Sequence, residues 1–106
     1  MMNWLLQLFS PRFGGRHKDW GNVRKRHLSV YPKCSVCGKK KLFISNIPHH
    51  ILPVHLFPEK ELDLDNLLTL CRTHHLLFGH LNYFRSYNKN VVEDSRNMLI
   101  KIYQRP

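Results

Sequence analysis

A chain of 106 residues, 42% of them apolar, has the composition of one small folded domain; it excludes wholesale disorder but leaves room for only a modest core. Seventeen Lys and Arg against seven Asp and Glu give a formal charge of +10, which selects polyanions as partners and supplies affinity for phosphate but no chemistry. Three cysteines are an odd number, which argues against a closed disulfide framework and for a metal site in a reducing compartment.

The opening Met1-Met2-Asn3-Trp4-Leu5-Leu6-Gln7-Leu8-Phe9 is apolar but has no basic start, and Ser10-Pro11-Arg12 ends it far short of a membrane span. The expectation is a soluble, intracellular, cytoplasmic protein with no membrane partner. Residues 1–19, with the glycines and charge of Arg12-Phe13-Gly14-Gly15-Arg16, read as an N-terminal arm, and 20–106 as the folded domain. A first helix is predicted from about Asn22 to Tyr31, stopped by Pro32. Val23, His27 and Val30 would share one face, with Arg24, Lys25 and Arg26 on the other side.

Beyond it, Cys34-Ser35-Val36-Cys37-Gly38 has the form of a metal knuckle, followed by the basic turn Lys39-Lys40-Lys41 and a β-like run Leu42-Phe43-Ile44. A second extended run covers Pro48 to Val54, and His55 to Asp65, rich in Pro and acids, reads as a long loop. Asn66-Leu67-Leu68-Thr69-Leu70 leads into Cys71, and a helix is predicted from near Arg72 to about Tyr83. A last helix from Val91 to Tyr103 carries Val91, Val92, Met98, Leu99 and Ile102 as its apolar positions.

Two half-sites stand out. Cys34-x-x-Cys37 and Cys71-x-x-His74 share a two-residue spacer, which lets a tight turn aim both ligands at one ion. Together they make a closed tetrahedral zinc site whose binding energy would supplement a small core. The competing reading is buried thiols beside a surface histidine, but it does not explain why both pairs keep the same spacing.

Six of the eight histidines fall between His49 and His80. His49-His50-Ile51-x-Pro53, then Asn66-Leu67-x-x-Leu70-Cys71-x-x-His74-His75, with Cys34-x-x-Cys37 upstream, resembles the HNH endonucleases, particularly small bacteriophage members, over roughly residues 20 to 85. The resemblance implies an α+β fold of the ββα-metal, or His-Me, finger type: a two-stranded hairpin packed on a helix with a catalytic ion between them, flanked here by N- and C-terminal helices. It makes 20–106 an HNH nuclease domain with a structural zinc site. It also implies that His50 is the general base, that Asn66 helps to hold it, and that His49 and His75 are ligands of the catalytic ion.

Many members of that family have aspartate where this chain has His49, although nuclease colicins share the His-His pair. The departure removes a negative charge and leaves Mg, Mn, Ni and Zn all open as the catalytic ion, with imidazole favouring the softer ones. His74 is assigned to zinc and His75 to the catalytic ion, an assignment that could be exchanged. Successive strand residues face opposite sides, so for His49 and His50 to serve one site the strand has to be irregular there; otherwise one of them packs the core. His80 lies five residues beyond His75, about 140° around a regular helix. It is a third ligand if Gly79 opens the helix locally, and a helix-end residue if not.

The chemistry fits the residue types, because a neutral imidazole can take a proton from water near neutral pH and an incompletely ligated ion can stabilise charge on a phosphoryl transition state. The resulting expectation is a metal-dependent endonuclease that nicks or cuts double-stranded DNA with low sequence specificity, with Arg24, Lys25, Arg26, Arg72 and Arg85 gripping phosphates. The alternatives are a zinc-stabilised nucleic-acid-binding module that does no chemistry and a phage packaging or recombination accessory.

Overall fold

Two strands of four residues each form the centre of the computed structural model, which describes residues 17–41, 44–83 and 86–104. Strand β1, Ile47–His50, pairs antiparallel with β2, Leu67–Leu70, in the register Ile47 with Leu70, Pro48 with Thr69, His49 with Leu68 and His50 with Leu67. Pro48 has no N–H to give, which is tolerated because a two-stranded sheet consists only of edges. The register is regular through both histidines. The irregularity expected at His49-His50 does not occur, and the two rings are directed to different neighbours.

Around this hairpin lie helix α1, Trp20–Val30, helix α2, Arg72–His74, which continues as a π-helical turn His75–Gly79, and helix α3, Val91–Tyr103. The fold is α+β. The connection from β1 to β2 contains two single 3₁₀ turns, Pro58–Lys60 and Leu64–Asn66, so the acid-rich loop is more structured than its composition suggests. Asn66 ties it together: its side chain accepts from Leu52 N–H at 2.8 Å and donates to the carbonyls of Leu52 and Lys60.

Helix α1 is fastened by polar contacts more than by apolar burial. Its one buried residue is His27, whose Nε2 lies 2.8 Å from Thr69 Oγ1 in β2. That hydroxyl donates to the Tyr31 carbonyl at 2.6 Å, so it accepts from His27, and burial lowers the His27 pKa. Val30, expected on the same face, is exposed because the helix ends there.

The core consists of Cys34, Val36, Leu70 and Val91, with Cys37, Ile51, Leu68, Cys71, Phe78 and Met98 packed against it. Three of these are cysteines, so core and knuckle are the same place. Helix α3 presents Val91, Ser95 and Met98 at helical spacing to that core, while Val92 turns out to solvent. Leu42 and Phe43 of the predicted β-like run lie outside the described residues; Ile44 sits in an exposed bend, not a strand. The helix predicted to reach Tyr83 stops at Gly79, because Leu81 and Asn82 take positive φ values of 54° and 64°, a left-handed turn that no helix can continue through. Of the predicted arm, residues 1–16 lie outside the described residues, as does Arg85.

Candidate functional site

Ligand atoms of Cys34, Cys37, Cys71 and His74 all lie within 4.8 Å of one another. The first pair sits on a tight turn closed by Gly38 N–H to the Cys34 carbonyl at 2.8 Å, with Gly38 at φ +70°. Cys71 precedes α2 and His74 ends it, so one turn of helix sets the second pair. His74 Nδ1 lies 3.2 Å from Cys71 Sγ and 3.7 Å from Cys34 Sγ. Tetrahedral zinc with ordinary bond lengths needs about 3.6 Å between such atoms, so the donor set fits that ion. Burial works to raise the Cys34 thiol, but N–H groups of Cys37, Cys71 and Val36 directed at its sulfur outweigh it and hold the thiol below its ordinary value. Cys37 is raised, by burial first and then by the neighbouring sulfurs.

A second cluster consists of His49, His75 and His80, whose ligand nitrogens also lie within 4.8 Å of one another. His49 projects from β1 between the rings of His75 and His80, at centroid distances of 5.0 and 5.1 Å. His75 and His80 approach each other with Nε2 atoms 3.2 Å apart. On a regular helix they would diverge; the π-helical turn takes in one extra residue and brings both onto one face. The Ser86 carbonyl, which can only accept, lies 2.8 Å from His80 Nδ1. It therefore fixes the proton on Nδ1 and leaves Nε2 as the ligating nitrogen.

His49 is 3% exposed and its Nε2 is buried with no hydrogen-bond partner among the described residues. Burial first, then the imidazoles of His75, His80 and His50, pushes its pKa down to about 3. A neutral, buried imidazole whose nitrogen faces two others is a set of donors suited to a divalent transition ion. Gly79 makes the approach possible: a Cβ there would stand 2.9 Å from His49 Cε1 and 3.0 Å from its Nδ1.

His50, at the end of β1, belongs to a different environment. Its ring lies 4.7 Å from that of Trp20 at the start of α1, and its Nε2 lies 2.9 Å from the Glu61 carbonyl. Since a carbonyl only accepts, Nε2 carries the proton and Nδ1 is the basic nitrogen. Asn66 reaches His50 indirectly, through Leu52, two residues beyond His50, and Lys60, the residue before the one that supplies the Glu61 carbonyl. The Glu61 side chain is fully buried and accepts the backbone N–H of His17 at 2.8 Å.

The structure thus brings His49, His75 and His80 together and keeps Cys34, Cys37, Cys71 and His74 as a separate set, while the side chains of His50 and Asn66 are directed to Trp20, Glu61, Leu52 and Lys60. Arg24 is half-buried, and Lys25, Arg26 and Arg72 are exposed. Sequence reasoning missed Trp20, Glu61 and Ser86. An aromatic residue just before a predicted helix was the only available signal for the first; a buried acid in an acidic loop and a carbonyl carry none.

Residues 34–77 match the family model for HNH endonuclease, a segment that opens on the first knuckle cysteine, takes in His49, His50 and Asn66, and closes just after His75. The match spans 44 of the 106 residues, so this stretch of the chain is similar to the HNH endonucleases. Domains of this kind act on nucleic acid, so the class of function is nuclease or nucleic-acid binding. No curated protein and no solved structure matches the chain. Among the described residues no helix is long and apolar enough to cross a membrane.

Proposed function

We propose that the protein is a metal-dependent endonuclease that hydrolyses phosphodiester bonds, nicking or cutting double-stranded DNA with little sequence preference. The observation that carries this reading is the buried His49 nitrogen facing His75 and His80 across a helix widened to bring them together. In this reading residues 20–106 form the nuclease domain, Cys34, Cys37, Cys71 and His74 hold a structural zinc, and His49, His75 and His80 hold the catalytic ion.

When bound, that ion would supply Lewis acidity to the scissile phosphate and its departing oxygen. The chain's own part is to position and to move a proton. His50 takes a proton from the attacking water at Nδ1, while the Glu61 carbonyl holds Nε2–H and steadies the imidazolium that results. The water oxygen bonds to phosphorus, the bond to the sugar oxygen breaks, and that oxygen is protonated from solvent. Asn66 acts as a positioning residue through the loop. Arg24, Lys25, Arg26, Arg72 and Arg85 are assigned to the phosphate backbone.

One observation favours the non-catalytic nucleic-acid-binding module: His50 is only 7% exposed and lies against Trp20, whereas a base must reach water. The two readings separate on supercoiled plasmid incubated with purified protein and Mg, Mn, Ni or Zn in turn. Nicking by the wild type that His50→Ala loses supports the nuclease. Tight DNA binding with no cutting in any of the four metals makes the binding module the correct reading.

A further inference from the structure

Away from both clusters, a cleft of about 260 Å³ opens between α1 and the link from the knuckle to β1. Arg24 and Lys25 line it from the helix, Lys40 and Ser45 from the link, and Leu28 and Pro32 supply apolar surface. Arg24 Nη2 donates to Ser45 Oγ at 3.1 Å, which holds the guanidinium across the junction of the two elements. None of the seven acids lines the cleft, and its three cations are in no ion pair among the described residues. Cations left without counter-ions around a concavity concentrate positive potential there, and a guanidinium with a fixed neighbour is suited to the forked geometry of phosphate. Leu28 and Pro32 offer a surface for the sugar attached to it.

We infer that this cleft is a separate anchoring site for one backbone phosphate and its sugar, placed on the same nucleic acid strand as the phosphate at the histidine cluster. The inference deepens the nuclease reading, on which its relation to a cut site rests. Ser45 precedes His49 by four residues, at most about 13 Å of extended chain. At about 3.4 Å of helix rise per nucleotide, the anchored phosphate lies no more than about four nucleotides from the one at the cluster. Lys40 and Ser45 thereby become binding residues. Arg26, next to two cleft residues in sequence, lines no part of it.

The test uses the full chain and a fluorescently labelled short DNA duplex, with binding followed by anisotropy over a range of NaCl concentrations and plasmid nicking measured in parallel. Lys25→Ala with Lys40→Ala, both at exposed positions, should weaken binding roughly tenfold and reduce the slope of log K against log salt by about 0.9 in total, the share of the one phosphate they hold. Zinc content and melting temperature should not move. Lys101→Ala on α3, exposed and outside the cleft, should leave the slope as in the wild type. Unchanged binding and slope in the double variant, or an equal loss in Lys101→Ala, overturns the anchoring site while leaving the nuclease reading intact if the wild type still nicks. A wild type that nicks nothing, paired with a double variant that loses binding, overturns the nuclease reading and keeps the site.

Discussion

His74 and His75 are neighbours in the chain and belong to different chemistries. The first turns Nδ1 toward three thiols packed into the hydrophobic core; the second turns Nε2 toward two imidazoles at the edge of the hairpin. Successive side chains on a helix diverge by about 100°, and that angle is enough to divide one short helix between a closed four-donor set and an open three-donor set. A closed set offers no position for substrate and can only stabilise; an open one can take a phosphate oxygen. The pairing teaches that the four-donor set and the three-imidazole set share a helix, so whatever fixes the first also aims the second.

The strongest way to break this comparison is to remove the frame. Cys37→Ser should leave the chain unfolded or insoluble, since structural zinc in small domains contributes about 10–16 kcal/mol of apparent binding free energy, as much as the whole stability of a typical domain. Circular dichroism and metal analysis check it; a folded, metal-free protein would remove zinc from the account. Next in size, His50→Ala should lower nicking about 10²–10⁴-fold, the range for a lost general base, with zinc content and DNA affinity kept. His75→Ala should also lose activity but regain part of it in excess metal, because added ions can refill a weakened site and cannot replace a base.

A smaller effect is expected of Gly79→Ala. The new methyl group meets the His49 ring, so affinity for the second ion should fall about 10–100-fold, the range seen when support for metal ligands is disturbed. The first zinc should stay, and titration of the protein with Co or Ni followed by its visible spectrum reads the difference. Equal loss from both sites would show that the two are not separable. The smallest effect concerns His27. Its pKa is lowered from 6.5 by burial, so the unfolded chain takes up the proton first as pH falls. Its contribution is present in full above about 6.5 and is lost as pH drops through the lowered folded value. Urea midpoints of His27→Gln should therefore depend less on pH below 6.5 than those of the wild type, the metal ligands being common to both.

The knuckle and its ligand set were legible because spacing alone defines them: Cys34-x-x-Cys37 and Cys71-x-x-His74 each need only one tight turn. The last helix was legible from its apolar repeat and its ends. His80 was ambiguous for a definite reason, since regular-helix geometry put it on the wrong face and nothing local specifies a π-helical turn. The regular strand at His49-His50 was misjudged because both rings were assumed to need one environment. The structure gives His49 to the other imidazoles and His50 to Trp20 and Glu61, partners separated from it by 30 and 11 residues. Contacts at that range depend on how the elements pack and leave no trace in local periodicity.

The π-helical turn also makes the chain asymmetric toward length changes. Deleting exposed Leu77 would reduce His75 and His80 to an i, i+4 pair, which a regular helix already places on one face. Inserting a residue in the same stretch would add to a turn that has already taken in one more than a helix needs, and would swing His80 about 100° away from its partner. Between these two histidines the molecule can lose a residue and keep its facing pair, but it cannot gain one.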